Sequence, residues 1–171
     1  MEAPFELIAT LRSTDAEAGE RAARALRKLA ERDPASLALW RKDLLKLTMN
    51  AQDLRLRWNL IVMPGKLPLS PSQRATAVDW LFERLEDASP FTRTFALQAL
   101  FDLSSTDSSL RARLLPIAQR FALQGTAAMR ARARKLLYGH VLPDGPAARG
   151  GSAGRRHKSV PTSGRTSEVT E

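Results

Sequence analysis

Three observations predict an all-helical fold built from stacked helix pairs. Apolar residues recur at spacings of three and four almost everywhere up to residue 140, which is the helical period. No segment alternates for long enough to read as a strand. Three segments also repeat a common frame 36 and 37 residues apart, as expected of a unit that buries its apolar face only by stacking on its neighbours.

The breaks between apolar stripes carry helix-start chemistry and set the elements in order. A short helix is predicted near 4–12, and Asp15 caps a second near 16–31. Asp33-Pro34 joins an N-cap to a first-turn proline ahead of a helix near 35–49. Asp53 caps 54–63, which Pro64-Gly65 is expected to stop. Ser70-Pro71-Ser72-Gln73 has the spacing of a capping box and opens 71–87, while Ser89-Pro90 opens 90–103. Asp107 and Thr126 cap 108–123 and 127–139. Pro116 is expected to kink the helix that holds it, at a cost of about 3 kcal/mol if uncompensated. The links are short, so consecutive helices should pack as antiparallel hairpins. Residues 1–140 thus form one helical repeat domain. Residues 141–171, rich in Gly, Ser, Pro and Thr, are expected to be a disordered basic tail, because they cannot bury enough surface to offset their ordering entropy.

The repeated frame is a cap, an arginine four residues later and a small or aliphatic residue three after that. It reads Asp53, Arg57, Leu60; then Ser89, Arg93, Ala96; then Thr126, Arg130, Ala133. The preceding helices keep the register, with Leu44, Trp80 and Ile117 in correspondence, and Leu45, Leu81 and Ala118 likewise. The helix at 16–31 fits less well, because Gly19 stands where the arginine would be; it is a degraded repeat or a cap.

Over residues 34–140 this pattern resembles the HEAT-type (HEAT/armadillo-like) repeat family. The resemblance implies a short right-handed α-solenoid of about three helix pairs with terminal capping helices. In that family an aspartate six residues ahead of the arginine helps form a polar ladder between repeats. Asp87 holds that place before Arg93, whereas Ala51 and Gln124 stand there before Arg57 and Arg130. Second helices line the concave surface in such stacks, so the resemblance implies that Arg57, Arg93 and Arg130 project along one side. The tetratricopeptide alternative needs a 34-residue period and a Trp, Leu-Gly, Tyr pattern that is not found.

Chemistry is constrained mainly by what is missing. The chain has no cysteine, which removes disulfides, thiolate metal sites and cysteine nucleophiles and makes a reducing compartment the default. His140 follows Tyr138-Gly139 at a helix end, where a cation complements the last carbonyls. Carboxylates such as Glu17 and Glu20 stand one turn from Arg21 and Arg24 and read as a solvated face. No phosphate-loop grammar occurs. The HEAT-like alkylpurine DNA glycosylases are the nearest enzymes by fold analogy, and their acidic residue among aromatics in a basic groove has no counterpart here. The amino terminus is acidic where a signal peptide is basic, and no apolar run approaches the roughly 20 residues that span a bilayer. A cytoplasmic protein without cofactor, metal, membrane contact or small-molecule substrate is expected.

Net charge is +9, and no acidic residue lies between Asp107 and Asp144. Basicity of this kind favours an acidic protein or nucleic acid, although part of it also serves to keep the last helix of a stack soluble. Glu83 and Arg120 are expected to form a lateral ion pair. Trp58, beside Arg57 at a helix start, is the tryptophan best placed to anchor a partner. The resulting reading is a non-enzymatic protein-interaction scaffold or adaptor, with a nucleic-acid binder using the basic carboxy-terminal repeat as the alternative. The candidate contacts are Arg57, Trp58, Arg93, Arg130, Arg132, Arg134 and Lys135.

Overall fold

A computed structural model describes residues 3–139; His140 and the expected tail at 141–171 lie outside the described residues. The α-helices are α1 (Pro4–Leu11), α2 (Ala16–Arg32), α3 (Arg41–Asn50), α4 (Leu54–Leu60), α5 (Pro71–Arg84), α6 (Pro90–Leu103), α7 (Ser108–Gln124) and α8 (Ala127–Gly139). No strand occurs among the described residues.

The starts are fixed by the capping side chains. Asp15, Asp53 and Asp107 accept from the N–H groups of Ala18, Leu56 and Leu110 at 3.0, 2.8 and 2.9 Å, each satisfying a donor that the helix leaves open. At α5 the capping box closes, with Gln73 N–H donating to Ser70 Oγ at 3.3 Å and Ser70 N–H to Gln73 Oε1 at 3.0 Å. Asp107 also receives Arg74 of α5 at 3.1 Å, and Arg74 donates again to the Leu103 carbonyl at 2.6 Å. One carboxylate thereby caps α7 and ties it to α5.

Several expected helices are modified at their ends. The segment expected as one helix at 35–49 begins as a 3-10 helix over Pro34–Trp40. Three-residue periodicity places Leu37 inside and Trp40 half-buried on the same side, while Leu39 is 91% exposed. Helix α4 stops at Leu60 rather than 63, because Pro64 has no N–H to carry the helical ladder on to the Leu60 carbonyl. Met63–Gly65 forms a 3-10 turn instead, with Lys66 N–H on the Met63 carbonyl at 2.8 Å. Helix α5 tightens after Arg84 through i to i+3 bonds into Leu85, Glu86 and Asp87. Pro116 does not end α7. Pro116 and Ala112 are both exposed, so the carbonyl that the proline leaves unpaired faces water.

Neighbours in sequence pack as hairpins in α1–α2, α5–α6 and α7–α8. Helix α3 packs against α5 and the Met63–Gly65 turn. Alternate helices also meet: α2 against α4, α4 against α6, and α6 against α8. The buried residues form two clusters that divide at the end of α4. Leu60 and Met63 join Leu7, Ile8, Leu26, Leu37 and Leu44, whereas Ile61 and Val62 join Leu81, Leu97, Leu100, Phe101 and Leu114.

Gly65 is where the turn after α4 presses on α6. A Cβ added there would stand 2.8 Å from Asp102 Cβ and 3.0 Å from the Ala99 carbonyl oxygen. Gly65→Ala should therefore cost about 1–3 kcal/mol, read as a lower urea midpoint. The Asp107 carboxyl is held below the usual aspartate range, first by the Leu110 N–H bond and then by Arg74. Its contribution to stability is present above the ordinary aspartate value of about 4 and is lost as pH falls through the depressed folded value. Asp107→Asn should flatten that acid limb in pH-dependent denaturation.

Candidate partner-binding face

Two of the motif arginines turn back on the chain. Arg57 Nε donates to the Ala51 carbonyl at 3.1 Å, and Arg130 Nη1 donates to the Gly125 carbonyl at 2.8 Å. In each case a cation satisfies a carbonyl at the end of the preceding helix. Arg57 also lies 3.6 Å from Asp87 Oδ2, with the two side chains 20% and 13% exposed. The expected outward row is thus corrected for Arg57 and Arg130, whose guanidiniums are committed to backbone and turn.

The ladder pairing crosses turns. Asp87 does not pair with Arg93 six residues on; it accepts from Ser89 N–H at 2.9 Å and holds Arg57 and Arg84 at 3.6 and 3.7 Å. Arg93 is half-buried, and its Nε is enclosed without a hydrogen-bond partner among the described residues. The lateral pair expected between Glu83 and Arg120 forms instead between Glu86 and Arg120, at 3.1 Å. Glu83 pairs with its neighbour Arg84 at 3.6 Å. The tightened turn after Arg84 displaces Glu86 from regular helical register, so register counted along an ideal helix misassigns the acid.

A different set of side chains converges. Positions two, five and nine residues after the motif arginine lie on one face of a helix. They are Asn59, Phe95 and Arg132; Val62, Gln98 and Lys135; and Lys66, Asp102 and Gly139. All but Asn59 and Asp102 line one groove of about 390 Å³, together with Arg27 and Glu31 of α2 and with Leu136. Asp102 ties the row together. Lys66 Nζ lies 2.9 Å from Asp102 Oδ2, Gln98 Nε2 donates to Asp102 Oδ1 at 2.9 Å, and Arg132 Nη1 donates to Gln98 Oε1 at 3.0 Å. Arg27 pairs with Glu31 at 3.4 Å. Four cations thus meet two carboxylates, and Lys135 is left exposed.

Beside the groove lies an apolar hollow of about 200 Å³ lined by Pro90, Phe91, Thr94, Phe95, Thr126, Ala128 and Arg132. Phe91 is 52% exposed. Trp58 packs on Phe91 across α4 and α6 with centroids 4.9 Å apart, is half-buried and does not line the hollow. Of the residues singled out from sequence, Arg132 and Lys135 reach the groove. Arg134 is exposed on α8 and does not line it. Arg27, Lys66, Phe91, Phe95, Gln98 and Asp102 were not singled out. The 36-residue interval between Lys66 and Asp102 carried the signal, since it equals the spacing of Arg57 and Arg93.

No group of three metal-ligating side chains occurs among the described residues, and no described helix is long and apolar enough to cross a membrane. No family model matches the chain, and no curated protein matches it. An engineered protein known from its crystal structure is similar to it, with a TM-score of 0.60 and 18% identity over 80% of this chain and 62% of that one. The likeness is one of fold. The chain spans 62% of that protein's length.

Asp87 is the residue whose loss tests the turn network. Asp87→Ala should cost about 1–3 kcal/mol in chemical denaturation, since it leaves two guanidiniums and the Ser89 N–H without their acceptor.

Proposed function

We propose that the chain is a HEAT-like, short right-handed α-solenoid of about three helix pairs with terminal capping helices, and that it acts as a non-enzymatic scaffold. On this reading its inner face holds an acidic segment of another protein. The architecture is supported by the packing of alternate helices, α2 on α4, α4 on α6 and α6 on α8. The observation that carries the function is the convergence of Arg27, Lys66, Arg132 and Lys135 on one groove from α2, the turn after α4, and α8.

An acidic peptide suits this groove better than a phosphate backbone. Glu31 lines the groove and interrupts its positive surface, and Asp102 already engages Lys66 from behind; a polyanion that must neutralise several successive phosphates would meet the Glu31 carboxylate. A peptide can place its carboxylates on Lys135 and Arg132 and an aliphatic side chain in the hollow beside Phe91. A chain free of cysteine suits a reducing compartment, so the cytoplasm is the proposed location.

The test is anisotropy with a labelled peptide of glutamates around one leucine, against a lysine counterpart and duplex DNA. The acidic peptide should bind, and affinity should fall with salt. Arg132→Glu with Lys135→Glu should weaken it about tenfold or more, equal to about 1.4 kcal/mol. Binding that ignores the double substitution, or a preference for duplex DNA lost on the same substitution, would replace this reading; the second result would favour the nucleic-acid binder.

A further inference from the structure

We propose that the cleft between the α5–α6 turn and the α7–α8 turn is a second binding site, which takes a carboxylate from an aspartate or glutamate of another protein. The inference goes beyond the inner-face reading and stands whichever partner that face takes. It rests on comparing two turns of the same chain.

The turns are built alike. Asp87-Ala88-Ser89-Pro90 and Gln124-Gly125-Thr126-Ala127 each place a hydroxyl N-cap at the third position, and Ser89 and Thr126 both accept from the N–H three residues on. In the first turn Asp87 puts one oxygen on Ser89 N–H and the other between Arg84 and Arg57 of the preceding turn. One turn later the corresponding residue is Gln124 and the corresponding arginine is Arg93. The carboxylate is missing there, and the Arg93 guanidinium has no hydrogen bond or ion pair among the described residues, with its Nε enclosed.

A cleft of about 220 Å³ lies at this place, lined among others by Arg93, Arg120, Gln124, Gly125 and Thr126. Several times the roughly 30 Å³ of one water, it has room for a carboxylate and its methylene stem. Glu86 also lines it, but its carboxylate is held by Arg120 at 3.1 Å and is 75% exposed. A half-buried guanidinium without a counter-ion is an unfavourable arrangement that one incoming carboxylate offsets. The intramolecular precedent, Asp87 on Arg57, names that ligand as a carboxylate. Arg93 thus belongs to an interaction site after all, at the turn edge and away from the groove.

Acetate is the side chain of aspartate as a free molecule and serves as the probe. Thermal unfolding of the full chain is followed in sodium acetate and sodium chloride at equal ionic strength. Acetate at about 100 mM should raise Tm above the chloride value by ~2–4 °C and saturate. Gln124→Asp puts the carboxylate into the turn itself, so it should raise Tm in chloride and abolish the acetate response. Arg93→Gln should abolish the response by removing the receptor. No acetate rise in the parent chain, or an equal rise in either variant, overturns the proposal. If Arg93→Gln does not fold, Gln124→Asp decides alone: a retained response sinks the site and a lost one supports it. Peptide binding in the inner groove is measured separately and is not affected by Gln124→Asp.

Discussion

Three residues after each motif arginine stands a side chain with no solvent exposure: Leu60, Ala96 and Ala133. Leu60 belongs to one buried cluster and Ala96 and Ala133 to the other; α6 and α8 meet, and an alanine on each permits a close approach. The approach fixes both what is buried and what is left outside. Leu97 and Leu100 are enclosed on one side of α6, and Phe95, Gln98 and Asp102 emerge on the other. Without the shared interval of 36 and 37 residues, the lateral bonds from Lys66 through Asp102 and Gln98 to Arg132 have no common line to follow.

The helices were largely legible because their determinants are local. Asp15, Asp53, Ser70, Ser89 and Asp107 each cap the helix their sequence position announced, since an N-cap needs only the three residues after it. Ends were read less well where backbone changes pitch, as in Pro34–Trp40 and at Met63–Gly65. There the choice between three and four residues per hydrogen-bonded turn depends on what the turn packs against. The site was legible only in part. Sequence pointed to Arg132 and Lys135, but it assigned Arg57 and Arg130 outward. Whether an arginine near a helix start reaches out or folds back onto the previous helix end is decided by the turn between them. The fold-back bonds to Ala51 and Gly125 exist only once that turn is closed.

Charge is accordingly divided between two tasks. At the turn edge, Arg57, Arg84 and Asp87 hold neighbouring units together, with little exposure at Arg57 and Asp87. In the groove, Lys135 is exposed and Lys66 and Arg132 are held by single polar partners, an arrangement in which a cation can be shared with an incoming group. A count of basic residues does not distinguish the two populations.

The division of the buried residues at 60–63 has a mechanical side. Leu60 and Met63 belong to one cluster and Ile61 and Val62 to the other, so a strip of four residues joins the two halves of the buried core. Arg27 and Glu31 stand on the amino-terminal half, while Gln98, Arg132 and Lys135 stand on the carboxy-terminal one. The groove therefore straddles the seam, and its width is a measure of how the two halves are set against each other. Sub-global opening of either one changes the spacing of the opposing charges while the charges themselves stay the same.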